Sequence, residues 1–95
     1  MMKYLCLNPR LLPSKEAMLA YVSEELAFAP GGALNLDALY DQLTSYFEPA
    51  SILCLDFKID GDSLYPYAGG VYRVLSDAAQ ANRALRVDVI TLPAA

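Results

Sequence analysis

Apolar and polar residues alternate along this chain in blocks that predict strands alternating with helices. Short apolar runs predict strands at 3–8, 51–57 and 85–92. Longer stretches, with apolar residues three and four positions apart, predict helices at 14–28, 36–47 and 71–83. Residues 58–70 are rich in turn formers and are predicted to be irregular. Because strands separated by helices pair in parallel through right-handed crossovers, the pattern predicts a single α/β domain over 1–95 with a small three-stranded parallel sheet.

The charge balance narrows the class of partner. Eleven acidic residues against seven basic residues give a net charge of −4. An excess of acid disfavours nucleic acid as a direct ligand, since phosphate binding needs a basic surface. The same balance suits a basic protein partner. The chain has no histidine, which removes the commonest general base and the commonest zinc ligand, and nothing in the sequence indicates a cofactor or a metal.

The two cysteines and the amino terminus indicate the compartment. Cys6 and Cys54 lie in apolar runs that predict buried strands, so we expect reduced core thiols. The apolar start of the chain is short and is interrupted at residues 8–10, which does not fit a signal peptide or a membrane span. We therefore expect a cytoplasmic protein with no membrane partner.

The predicted helix at 36–47 carries the most informative pattern. One side holds an apolar stripe at helical spacing, formed by Leu36, Leu39, Leu43 and Tyr46. The opposite side holds Asp37, Tyr40, Asp41 and Thr44. Asn35 is a good N-cap residue.

The two aspartates of this helix need an explanation. Asp37 is in the first turn, where the helix dipole favours an anion, but Asp41 lies too deep in the helix for that effect. Like charges four residues apart repel by roughly 0.2–0.5 kcal/mol. A tyrosine between two acids is typical of a binding surface, where aromatic residues are enriched. The plain alternative, a cap at Asp37 and a solvated surface residue at Asp41, remains open.

The run Asn35-Leu36-Asp37-Ala38-Leu39-Tyr40-Asp41 with Leu43 resembles the barstar family of intracellular inhibitors of barnase-type ribonucleases. Further support comes from Glu25-Leu26 before it, and from the proline, strand, helix with Asp77 and final strand after it. The resemblance extends over nearly the whole chain. It implies the same architecture, with three or four helices, because the family suggests a short extra helix before the predicted helix at 71–83.

The resemblance also implies a mechanism of phosphate mimicry by a monomeric inhibitor. Asp41 is expected to occupy the phosphate site of a basic ribonuclease, and Asp37 to pair with a second cation. Tyr40 would pack at the rim, with Thr44 on the same face, and Asp77 would be a peripheral acid. The loop formed by Gly31, Gly32, Ala33 and Leu34 would lie against the mouth of the nuclease active site.

Departures from the family pattern keep a second hypothesis open. Gly31 and Gly32 stand where the best-known members have an aromatic residue, Ala33 replaces a glycine, and Asp77 is one methylene shorter than the usual glutamate. These changes favour a barstar-like interaction module for a different basic protein or toxin. An enzyme that uses Asp37 and Asp41 as an acid–base pair is the least favoured hypothesis, given the missing histidine.

Two weaker motifs are interpreted as connections. Asp60-Gly61-Asp62 lacks the spaced acids and closing glutamate of a calcium loop, so it predicts a turn. Pro30-Gly31-Gly32 is not followed by the lysine and hydroxyl residue of a phosphate loop, so it predicts a plain connection.

Overall fold

The computed structural model describes residues 2–28 and 35–93. Within these ranges there are four strands and three helices. In chain order they are β1 (Lys3–Leu7), α1 (Lys15–Glu25), α2 (Leu36–Thr44), β2 (Ala50–Ile59), β3 (Asp62–Ser63), α3 (Pro66–Ala81) and β4 (Leu85–Pro93). The α/β class predicted from the sequence is confirmed. None of the helices in the described ranges is long and apolar enough to cross a lipid bilayer.

The sheet is mixed, so the prediction of a three-stranded parallel sheet is wrong. β2 is the central strand and pairs in parallel with β1 on one side and β4 on the other. The fourth strand, β3, pairs antiparallel with the end of β2. Lys58 faces both Ser63 and Pro93, so β3 extends the β1 side of the sheet beyond the end of β1.

The hairpin between β2 and β3 is built on the Asp-Gly pair. Ile59 pairs with Asp62 across a two-residue loop. Asp60 and Gly61 both have positive φ, at 51° and 85°, which is the geometry of a type I′ turn. The turn predicted at 60–62 is confirmed. The predicted plain turn did not include the strands on either side of it, so the hairpin was not predicted.

Helix α3 begins at Pro66, five residues before the predicted start. Proline suits the first helical position because an N–H there has no acceptor within the helix, so the missing N–H of proline costs no hydrogen bond. The Tyr67 hydroxyl donates to the carbonyls of Pro9 and Leu12, at 3.1 and 2.7 Å, and ties this first turn to the segment after β1. Much of the segment predicted to be irregular is therefore helix or strand, and the described residues include no separate fourth helix.

Helix α1 ends at Glu25, three residues before its predicted end. Ala27 has a left-handed backbone, with φ of 54°. The Ala27 N–H donates to Glu24 and the Phe28 N–H to Ser23, at 3.2 and 3.0 Å, which is the bonding pattern of a Schellman motif. The sequence gives no glycine to mark this stop.

The core lies between one face of the sheet and the three helices. Leu5, Leu7, Ile52 and Cys54 point from β1 and β2 into it and are buried. The Tyr72 hydroxyl donates to the carbonyls of Leu7 and Leu55, which joins α3 to both strands.

Only one of the two cysteines is a core residue. Cys54 is fully buried, and its burial is the largest cause that raises the thiol pKa to about 12, ahead of the nearby Cys6 and Asp88. Cys6 is exposed, so the prediction of two buried thiols is wrong for it. Both thiols are free. Cys6 pairs with Leu53, the neighbour of Cys54 in β2, so the two side chains point to opposite faces of the sheet.

Candidate functional site on helix α2

Helix α2 is capped and buried in the way that its sequence predicts. The Asn35 side-chain oxygen accepts the Ala38 N–H at 2.8 Å, which confirms Asn35 as the N-cap. Leu39 and Leu43 are completely buried. Leu36 borders α3, where a Cβ on Gly70 would lie 3.6 Å from its Cδ1 atom. The helix is therefore held against the core along its apolar stripe.

The opposite side of α2 exposes Asp37, Tyr40 and Asp41, which together are called the acidic face below. The Tyr40 side chain is 38% exposed, so its ring is available for contact while it remains partly packed. Neither carboxylate has an ion pair or side-chain hydrogen bond within residues 2–28 and 35–93. The sequence prediction that these three residues share one outward face is confirmed.

Thr44 is less available than its position on this face suggests. Its hydroxyl donates back into the helix, to the carbonyls of Tyr40 at 3.0 Å and Asp41 at 3.2 Å. The residue is half-buried. Thr44 therefore contributes to the end of α2, and its hydroxyl proton is already used within the helix.

A single side chain on another element fixes the carboxyl end of α2. The Asn82 amide nitrogen donates to the carbonyls of Leu43 and Tyr46, at 2.8 and 2.7 Å. The Leu43 carbonyl also accepts the Tyr46 N–H at 3.2 Å, and Tyr46 lies just beyond α2, so Asn82 adds a side-chain donor to the segment where the helix ends. The predicted extension of α2 to Phe47 is wrong, because the chain leaves the helix at Ser45, ahead of Pro49.

Asp77 lies on the part of α3 that borders α2. Gly70, whose open side faces Leu36, is seven residues before Asp77, so both share one stripe of the helix. Asp77 is exposed and has no ion pair in the described ranges. Asp77 therefore lies on the same stripe of α3 as Gly70, seven residues further along the helix.

Four of the predicted contact residues lie outside the described ranges. They are Gly31, Gly32, Ala33 and Leu34.

The structure also reveals an exposed aromatic residue that sequence reasoning missed. Phe47 follows α2 and is 93% exposed. It borders an open cavity of about 330 Å³ next to the carboxyl ends of α1 and α2, lined also by Lys3, Leu26, Tyr46 and Glu48. Phe47 was missed because the helix was predicted to continue through it. Pro49 restricts only the residue before it, so it predicts an end near Phe47 and gives no signal for the earlier end at Thr44.

The charges are strongly one-sided along the amino-acid sequence. Between Lys15 and Lys58 there is no basic residue. The same stretch holds seven of the eleven acids: Glu16, Glu24, Glu25, Asp37, Asp41, Glu48 and Asp56. The segment that contains α2 therefore carries more negative charge than the net charge of the whole chain indicates.

The chemistry available to the acidic face is recognition of cations. Two carboxylates on a fixed helix accept charge-assisted hydrogen bonds, which are strongest with arginine in bidentate geometry. Tyr40 adds an aromatic surface between them. No family model and no curated protein sequence matches the chain.

Proposed function

We propose that this protein inhibits a basic, barnase-like ribonuclease by covering its cationic active site with the acidic face of α2. Asp41 occupies the position of an RNA phosphate, and Asp37 pairs with a second cation. Tyr40 packs at the rim, and Asp77 adds a weaker peripheral attraction. The protein acts by binding and performs no turnover.

One observation carries the proposal: Asp37 and Asp41 are exposed on the same face of a helix and neither has a partner among the described residues. The anchored helix supports it further, because a rigid surface loses little conformational entropy on binding. The lack of bases between Lys15 and Lys58 supports the choice of a basic partner.

The test is inhibition of a barnase-type ribonuclease that is digesting RNA, with Asp41→Ala run beside the wild type. We expect stoichiometric inhibition by the wild type and an inhibition constant weakened by about 30-fold or more in the variant, as for an interface hot spot. The substitution is not expected to unfold α2, because alanine favours helix and the repulsion with Asp37 disappears.

Glu24→Ala is the matched control. Glu24 is an exposed acid on α1, outside the acidic face, so its loss removes the same charge. We expect inhibition to remain within about threefold of the wild type, as for a peripheral charge. Equal losses in Glu24→Ala and Asp41→Ala would contradict a site on α2 and would indicate attraction by net charge alone.

A different basic protein or toxin is the second candidate for the partner. It is favoured by Gly31 and Gly32, which supply no aromatic contact, and by the short Asp77 side chain. No inhibition of the ribonuclease, with retained Asp41-dependent capture of another basic protein, would support this candidate and overturn the first.

A further inference from the structure

The two edges of the sheet are protected differently. On the β1 edge, the Tyr21 hydroxyl of α1 accepts the outward-facing Cys6 N–H at 3.2 Å. The β4 edge has no neighbouring strand in the described part of the chain. An edge strand presents unpaired N–H and C=O groups that can pair with another chain, and proteins usually shorten, cover or charge such strands. β4 is nine residues long.

The register with β2 shows which β4 residues turn their backbone groups outward. The Ala50 N–H donates to the Ala84 carbonyl at 2.9 Å, while Ala50 lies opposite Leu85. In a parallel ladder, alternate residues bond to the same neighbour. Arg86, Asp88 and Ile90 therefore direct their backbone groups toward β2. Val87, Val89 and Thr91 direct theirs to the open edge.

The side chains of β4 include apolar groups that the fold leaves exposed. Val89 lies on the helix side of the sheet in one row with the buried Leu7 and Cys54, yet it is 47% exposed. Ile90, on the other side, is 43% exposed. Helix α3 thus leaves the Val89 side chain partly uncovered, and Ile90 is exposed on the opposite face of the sheet.

The charges on β4 are self-complementary. Arg86 and Asp88 are two residues apart on one face, and their side chains pair within the strand at 3.1 Å. Both are exposed. When such a strand pairs antiparallel with its own copy, a positive residue can face a negative residue on each side of the two-fold axis.

We propose that β4 pairs antiparallel with β4 of a second copy of this chain, about a two-fold axis through Val87. The sheets of the two copies then become continuous. Arg86 of each copy faces Asp88 of the other, which gives two ion pairs across the axis. At high protein concentration we expect this dimer in place of the monomer that the sequence predicts.

Backbone geometry limits the register to a few choices, and charge selects among them. Outward-facing residues must face each other, so the axis passes through a residue of β4, with Val87, Asp88 and Val89 the central positions. An axis through Asp88 would oppose two like charges, which is destabilising. An axis through Val89 would place Asp88 opposite Ile90 and leave Arg86 without an acid. Only the axis through Val87 pairs both charges.

The same register pairs apolar side chains on the helix side of the sheet. Val87 faces Val87 of the second copy, and Val89 faces Leu85. Apolar and opposite-charge pairs directly across an antiparallel ladder each contribute to its stability. The half of Val89 that the monomer leaves exposed gains a neighbour in this arrangement.

Charge reversal tests both the pairing and its register. In Arg86→Asp, two acids face two acids across the axis, and in Asp88→Arg, two bases face two bases. We expect the wild type to dimerise at low salt with a dissociation constant in the range of about 10–500 μM, measured by sedimentation velocity up to about 0.5 mM protein. Each reversal should weaken dimerisation by at least about tenfold.

Complementation makes the test specific. An equimolar mixture of Arg86→Asp and Asp88→Arg should form a heterodimer, and the double variant R86D/D88R should recover the homodimer. Lys15 is an exposed residue at the start of α1, so Lys15→Glu is the control and should dimerise like the wild type. Circular dichroism should be unchanged in every variant, because all three positions are exposed.

Two outcomes would overturn the proposal. One is a wild type that remains monomeric at about 0.5 mM, since backbone pairing with two ion pairs should be detectable there. The other is a dimer that neither single reversal weakens, because it would use a different surface. The acidic face of α2 is not part of this interface, so either result leaves the proposed inhibitor function untouched.

Discussion

At the scale of single residues, Ala27 occupies a backbone conformation that favours glycine. Its φ of 54° lies in the left-handed region, where the Cβ of an L-residue crowds the backbone. The position nevertheless ends α1 through the hydrogen bonds from Ala27 to Glu24 and from Phe28 to Ser23. The fold thus imposes a conformation there that the side chain disfavours.

We predict that Ala27→Gly stabilises the protein by about 0.5–1 kcal/mol, because glycine removes the steric cost of the left-handed position. The free energy of unfolding is to be measured in urea. Ala20→Gly, at an exposed position inside α1, is the control and should destabilise by about 1 kcal/mol. Equal losses of stability in both variants would mean that residue 27 is not left-handed in solution.

At the scale of elements, a few long-range side-chain bonds hold the helices in place. Asn82 follows α3 and binds two carbonyls at the end of α2, while its side-chain oxygen accepts the Ala84 N–H at 2.9 Å, just before β4. One side chain therefore links the ends of two helices to the start of a strand. The orientation of the acidic face depends on this junction.

Removing the Asn82 amide should loosen that junction. We predict that Asn82→Ala destabilises the protein by about 2 kcal/mol, since the Tyr46 carbonyl loses the amide donor and the Leu43 carbonyl keeps only backbone donors. Urea unfolding gives the stability, and hydrogen exchange of the α2 amides should accelerate. Gln80→Ala, an exposed change two residues earlier, should alter stability by less than about 0.5 kcal/mol. A similar effect of both variants would show that the Asn82 bonds do not hold α2.

The sequence predicted the starts of α1 and α2 better than their ends. Ser14 and Asn35 are local signals, because each cap bonds to an amide three residues along the chain. The end of α2 depends on Asn82, which is 39 residues from Leu43, so no local pattern contains it. The start of α3 was missed because Gly69 and Gly70 weaken the helical pattern, although Gly70 lies where α2 packs closely.

The candidate site, like the helix ends, was predictable only where it depends on local sequence spacing. The shared face of Asp37, Tyr40 and Asp41 follows from helical spacing and needs no tertiary information. Phe47 required knowledge of where the helix ends, and the internal bonds of the Thr44 hydroxyl required the geometry of the last turn. Spacing therefore indicates which residues share a face. It does not indicate which of their polar groups are already satisfied.

At the scale of the whole molecule, the distribution of charge matters more than its sum. The 42 residues from Glu16 to Phe57 carry seven acids and no base, whereas the remainder of the chain carries all seven bases and four acids. Acids that lie together on the surface attract an oppositely charged partner as it approaches, and the attraction weakens as salt screens the charges. Steering of this kind changes the association rate, while close contacts at the interface govern dissociation.

These two contributions should separate in the kinetics of binding to a barnase-type ribonuclease. We predict that the association rate constant falls by about tenfold between roughly 20 and 300 mM salt, while the dissociation rate constant changes by less than about threefold. Asp41→Ala should act mainly on dissociation if this carboxylate makes the close contact that we propose. Glu24 is an exposed acid of α1 in the same acidic segment, and Glu24→Gln should slow association slightly and leave dissociation unchanged.

Stopped-flow fluorescence measures both rate constants. An association rate that does not depend on salt would contradict electrostatic steering, and a dissociation rate that Asp41→Ala leaves unchanged would contradict the placement of Asp41 in the contact.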